Sequence, residues 1–126
     1  MASILIIEDE VIFAEYLRLV LEGLGHEVTS ASGGIVGLEM LKNCLFDLVI
    51  TDIVMSDGEG IETVIQIHKT LPRQQIIAIS AHKNYLVSAK KLGATCALLK
   101  PFGVREFVAV VQDVIDGKFT TPANPG

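Results

Sequence analysis

Short apolar runs alternate with helical patterns five times along the chain, and four of those runs end on a chemically capable polar residue. The runs are Ile4–Ile7, Glu27–Ala31, Phe46–Thr51, Gln75–Ser80 and Cys96–Lys100. Runs of four to six residues rich in Val and Ile are short for helices and suit strands. The third and fourth are nearly continuous in Val, Ile and Leu, as expected for parallel strands covered on both faces. Helical patterns fall between them near Glu10–Glu22, Gly34–Asn43, Gly60–Lys69 and Lys83–Leu92, with a last one near Val104–Asp116. In the first, Phe13, Leu17, Leu21 and Leu24 recur at helical spacing and predict one buried face, which Gly23 and Gly25 terminate.

Five β-α units in 126 residues predict one α/β domain with a doubly wound, five-stranded parallel sheet. Right-handed crossovers make the flavodoxin-like order 2-1-3-4-5, with five helices, the natural arrangement. The domain is expected over residues 1–119. The segment Thr120-Thr121-Pro122-Ala123-Asn124-Pro125-Gly126 reads as a linker-like or frayed C-terminal tail.

Bulk composition excludes several classes. Half the residues are hydrophobic, which argues against disorder. No apolar stretch reaches the roughly 18 residues that span a bilayer, and Met1-Ala2-Ser3 lacks a basic n-region. A cytoplasmic location without membrane attachment is the expectation. A net charge of −5 disfavours direct nucleic-acid binding by this domain. Cys44 and Cys96 are expected to pack rather than pair, and the scattered His26, His68 and His82 give no zinc spacing.

The strand ends carry the chemistry. In an open α/β sheet ligands bind beyond the carboxyl ends of the strands, at the switch in strand order. There this chain presents Glu8 and Asp9 after strand 1, Asp52 after strand 3, Ser80 after strand 4 and Lys100 after strand 5. Two carboxylates about 4 Å apart repel by roughly 4 kcal/mol at an effective dielectric near 20, so the acidic group needs a cation. Mg²⁺ is suited to it, being a hard ion that takes oxygen ligands and shares its shell with phosphate. A carboxylate in such a place can itself be the nucleophile and form an aspartyl phosphate, and Asp52 is the central one. Each residue alone has a plainer reading: Asp9 or Asp52 as a helix cap, Ser80 as a turn residue, Lys100 as a solvated charge. Their coincidence at four strand ends favours a site.

With Ile6-Ile7-Glu8-Asp9-Glu10, Asp52-Ile53-Val54-Met55, Glu59-Gly60, Ser80-Ala81 and Lys100-Pro101-Phe102, the chain from Ser3 to about Gly117 resembles the receiver domain of two-component response regulators, of the chemotaxis-regulator kind. The resemblance implies a phosphoacceptor signalling domain of a two-component system or phosphorelay. Asp52 would be the phosphorylation site, served by a sensor histidine kinase or histidine phosphotransfer protein. Asp9, Asp52 and the Val54 backbone carbonyl would ligate Mg²⁺, with Glu8 acting through water. Ser80 would be the switch hydroxyl and Lys100 the cation on the phosphoryl group, with a cis bond before Pro101. Val54 and His82 would be modulators of dephosphorylation, although His82 also reads as a residue of the loop rim. A downstream effector would read the face formed by helix 4, strand 5 and helix 5. Such a domain is not an enzyme in the ordinary sense, since it catalyses only its own phosphorylation and dephosphorylation.

Three departures from the family pattern stand out. Ala97 occupies the position, three before the lysine, where an aromatic switch residue is usual; Ser56 replaces a common proline; and Gly58 loosens the Asp52–Gly60 loop. Two rival functions remain. An Mg-dependent aspartyl phosphatase needs a second acid two residues after the nucleophile, where this chain has Val54. A non-phosphorylated pseudo-receiver that only binds partners would more often lack Asp9, Asp52 or Lys100, and all three are present.

Overall fold

The computed structural model describes residues 1–54 and 60–119. Strands and helices alternate throughout: β1 (Ser3–Ile7), α1 (Val11–Gly23), β2 (Glu27–Ala31), α2 (Gly34–Asn43), β3 (Leu48–Asp52), α3 (Gly60–Thr70), β4 (Gln75–Ser80), α4 (Lys83–Lys91), β5 (Cys96–Leu99) and α5 (Val104–Ile115). The strands form one parallel sheet in the order β2-β1-β3-β4-β5. The expected architecture is therefore present.

Side chains alternate across a strand, and each face of this sheet has its own core. Ile4 and Ile6 of β1, Leu48 and Ile50 of β3, Ile77 and Ile79 of β4 and Leu98 of β5 pack beneath α1 and α5. Those helices return Ala14, Leu17 and Leu21, and Phe107, Val111 and Val114. On the other face Leu5, Ile7, Val49, Ile76 and Ala78 meet Leu41 of α2, Val64 and Ile67 of α3, and Leu86 and Ala89 of α4. Every residue of β3 is buried, as is every residue of β4 after Gln75, which explains their unbroken apolar character. Each fully buried Leu, Ile or Phe contributes about 1.5–3 kcal/mol.

Several expected boundaries shift. β3 starts at Leu48 rather than Phe46, because pairing with β1 begins at Ile4 opposite Leu48, and it runs on to include Asp52. β5 ends at Leu99, one residue before Lys100. Gly23 lies inside α1, and Gly25 alone supplies the left-handed turn, at φ +92°. Leu24 is 52% exposed, so the buried face of α1 ends at Leu21. Cys44 is exposed at the end of α2, which leaves only Cys96 with a packing role. Ser56, Gly58 and the rest of the Asp52–Gly60 loop between 55 and 59, like the tail at 120–126, lie outside the described residues. Among the described residues no helix is long and apolar enough to cross a membrane.

Candidate functional site

Register alone assembles the site. Ile7 of β1 pairs with Thr51, so the residues that follow, Glu8 and Asp52, are neighbours. Asp52 pairs with Ile79, placing Ser80 one step further on, and Ser80 pairs with Leu99, placing Lys100 one step beyond that. Backbone bonds hold this edge together: Glu8 N–H donates to the Ala31 carbonyl at 3.0 Å, Ile53 N–H to the Ile79 carbonyl at 2.9 Å, and Lys100 N–H to the Ser80 carbonyl at 2.9 Å. The Lys100–Pro101 bond is cis.

Three of the anticipated side chains meet directly. Lys100 Nζ lies 2.6 Å from Asp52 Oδ2 and 3.3 Å from Glu8 Oε1. The other Asp52 oxygen, Oδ1, accepts the Val54 N–H at 2.8 Å, and Glu8 Oε2 accepts the Glu10 N–H at 3.1 Å. Both acids are 5% exposed. Burial pushes the Glu8 carboxyl up to about 7, aided by the adjacent Asp52 and opposed by the Glu10 amide and Lys100. For Lys100, burial works against the charge, but the hydrogen bond and charge of Asp52, joined by Glu8, outweigh it and raise its pKa.

The remaining predicted residues take other positions. Asp9 is half-buried at the β1–α1 junction. The N-cap position of α1 is held by Glu10, whose side chain makes no capping hydrogen bond. Ser80 is 1% exposed, and its Oγ accepts the His82 N–H at 2.9 Å, bracing the β4–α4 turn. His82 is exposed at the start of α4, with its ring edge-on to Tyr85 at 5.7 Å between centroids. Val54 is 48% exposed at the rim.

One contributor was hidden in the sequence. Phe13, assigned to the buried stripe of α1, is only half-buried, and its ring centre lies 4.3 Å from Lys100 Nζ. The signal available was its place one helical turn after Asp9, which aims a side chain back toward the β1 end.

The donor set near Asp52 is all oxygen, which fits a hard divalent ion. Among the described residues no three acidic, histidine or cysteine side chains are already gathered around one point, and the Lys100 ammonium provides the counter-charge to Glu8 and Asp52. The arrangement offers a buried carboxylate with both oxygens held, an ammonium beside it and a hydroxyl at the next strand end. Such a group can accept and stabilise an anionic substituent.

Comparison with known proteins agrees with this geometry. The chain is 34% identical over 124 residues to the DNA-binding transcriptional regulator NtrC of Azospirillum brasilense, covering 97% of this chain and 26% of that protein. It is 34% identical over 101 residues to the transcriptional regulatory protein ZraR of Klebsiella oxytoca, covering 79% and 23%. The chain thus spans about a quarter of the length of these curated relatives. Among solved structures, the response regulator TrrA of Thermotoga maritima, in complex with Mg²⁺-BeF, superposes with a TM-score of 0.84 at 29% identity, covering 90% of this chain and 99% of that one. A CheY-like receiver domain protein from Methanospirillum hungatei gives 0.88 at 27%, covering 94% and 96%. The family model for the response regulator receiver domain matches residues 4–112. With that match reaching all five strands and the Glu8–Asp52–Lys100 group, its two acids buried, at the sheet edge, the chain belongs to the response regulator receiver domain family.

Proposed function

We propose that this domain is a phosphoacceptor switch in which Asp52 takes a phosphoryl group from a histidine kinase or histidine phosphotransfer protein. The observation that carries the reading is the Asp52 carboxylate, 5% exposed, held between the Val54 amide and the Lys100 ammonium at the carboxyl edge of the sheet. An Asp52 oxygen attacks phosphorus, the bond from phosphorus to the donor imidazole breaks, and the imidazole leaves. Lys100, already at the carboxylate, neutralises charge on the transferring oxygens. Asp9, Asp52 and the Val54 carbonyl would hold Mg²⁺, with Glu8 acting through water. When bound, the ion compensates the charge of the phosphoryl oxygens in this acidic site.

The switch follows from Ser80. Phosphorylation adds a charge of about −1.5 to −2 and three strong acceptors. Drawing the Ser80 hydroxyl toward them breaks its bond to the His82 amide and releases the first turn of α4. Ala97 has no ring to report the change, so displacement of the β4–α4 turn carries it. The exposed Tyr85, Leu99 and Val104 on α4, β5 and α5 form the surface a downstream effector would read. His82 is exposed two residues after Ser80 and Val54 is half exposed after Asp52, and both would modulate the approach of water to an aspartyl phosphate.

The test is labelling by acetyl phosphate in the presence of Mg²⁺. The wild type should form an adduct sensitive to hydroxylamine, Asp52→Asn should form none while keeping its fold, and Asp9→Ala should bind Mg²⁺ weakly and label slowly. Undiminished labelling of Asp52→Asn would overturn the assignment.

A further inference from the structure

We propose that Phe13 is a positioning residue for Lys100, holding the ammonium over its ring face beside the Asp52 carboxylate; this rests on the role proposed above for Lys100. The Lys100 Nζ is 4.3 Å from the Phe13 ring centre, well inside the roughly 6 Å range of a cation–π contact. The two carboxylates approach the same ammonium at 2.6 and 3.3 Å. A lysine stem has four rotatable bonds, and two acceptors alone leave it free to swing toward either acid or solvent. The ring supplies a third attractive surface and limits that freedom.

The ring is itself fixed. Phe13 packs at 6.0 Å and 64° on Phe102, two residues beyond Lys100, and at 6.3 Å on Tyr16 of its own helix. Phe102 stacks at 5.5 Å and 19° on Phe107, which is 1% exposed in the α5 core. An aromatic column thus runs from the core to Lys100 and ties the segment after Pro101 to the first turn of α1. A residue needed only to fill core would be buried, as Leu17 and Leu21 are; Phe13 is half-buried, with a face given to the cation.

Two ring-state variants test this. Phe13→Leu keeps apolar bulk and removes the π face, whereas Phe13→Tyr keeps the ring; Phe13→Met replaces the leucine variant if that does not fold. The Lys100 Hε resonances should be displaced upfield by the ring current in wild type and Phe13→Tyr, and return toward ordinary lysine positions in Phe13→Leu. With acetyl phosphate and Mg²⁺, Phe13→Leu should label about three- to tenfold more slowly and Phe13→Tyr near the wild-type rate, at matched unfolding midpoints. Lys100 Hε resonances that keep their wild-type upfield position in Phe13→Leu, or equal labelling rates for the leucine and tyrosine variants, would overturn the proposal. A wild type that does not label would instead overturn the phosphoacceptor function, and the resonance comparison would still decide whether Phe13 places Lys100.

Discussion

Thr95 extends the sheet by a rung that the backbone alone does not make, and removing its hydroxyl measures that rung. Backbone register between β4 and β5 starts at Ile77 opposite Cys96. One residue earlier, Thr95 N–H donates to the Ile76 carbonyl at 2.8 Å, and the Ile76 N–H donates to Thr95 Oγ1 at 3.0 Å. Ile76 is 0% exposed and Thr95 6%, so water cannot replace the side-chain acceptor. Thr95→Val preserves the branched shape and leaves a buried N–H unpaired, which costs about 1–3 kcal/mol. Losing the hydroxyl from an apolar site returns part of that, so about 1–2 kcal/mol is expected net. At about 2.1 cal/mol/K per residue of unfolding entropy, a chain of this length should lose roughly 4–8 °C in Tm. Urea titration should show a lower midpoint at unchanged slope, and the Ile76 amide should exchange faster than its β4 neighbours. Thr95→Ser retains the acceptor and should lose less. Because Ile76 lies four residues, about 13 Å, from Ser80 along β4, acetyl phosphate labelling should be unchanged. A valine variant no less stable than the serine variant, or an Ile76 amide protected as in wild type, would refute the reasoning.

His26 accepts the Ala2 N–H on Nδ1 at 3.1 Å, and burial followed by the N-terminal charge lowers its pKa. The unfolded chain therefore takes up the His26 proton first, and stability is lost as pH falls through about 6.5 and levels off below the folded value. Glu8 works in the opposite sense, since its raised pKa means that stability falls as pH rises from about 4.5 to about 7. The His26 contribution is read by comparing wild type with His26→Gln: their urea midpoints should converge as pH falls from 8 to 5, and a constant gap would refute it. A Cβ at Gly60 would overlap the Ile53 carbonyl, next to Asp52, whereas one at Gly23 meets nothing. Gly60→Ala should thus cost at least about 3 kcal/mol, and Gly23→Ala should stabilise by up to about 1 kcal/mol; urea midpoints that reverse this order would refute the packing argument.

Much of this is legible in the sequence. Apolar runs of strand length between helical patterns led to the five units, and the handedness of crossovers led to their order. What stayed hidden has physical causes. Pairing ends where a neighbour ends: Phe46 continues the apolar run of β3, but β1 gives it no partner. Leu24 continues the α1 stripe by spacing, but the turn at Gly25 carries it off the sheet. Periodicity tells which face of α1 Phe13 occupies, yet not that the face overlooks a lysine 87 positions later in the chain. Spacing likewise located Ser80 at the edge without indicating that its hydroxyl is engaged by His82.

The core and the site are one folding problem. Glu8 and Asp52 continue the alternation of Ile6 and Ile50, the face shared with α1 and α5, and Lys100 continues that of Leu98. A slip of one residue in β3 would turn Asp52 toward the face of Val49, Val64 and Ile67 and bring Ile53 to the edge. Such a slip would bury a carboxylate away from Lys100 and expose the apolar residues of β3 to the wrong core. Both penalties oppose it, so the two apolar faces that hold β3 in register also bring Asp52 to Lys100. The Phe13 column adds the remaining constraint from above, because a strand end fixes where the lysine stem begins and leaves open where its ammonium rests.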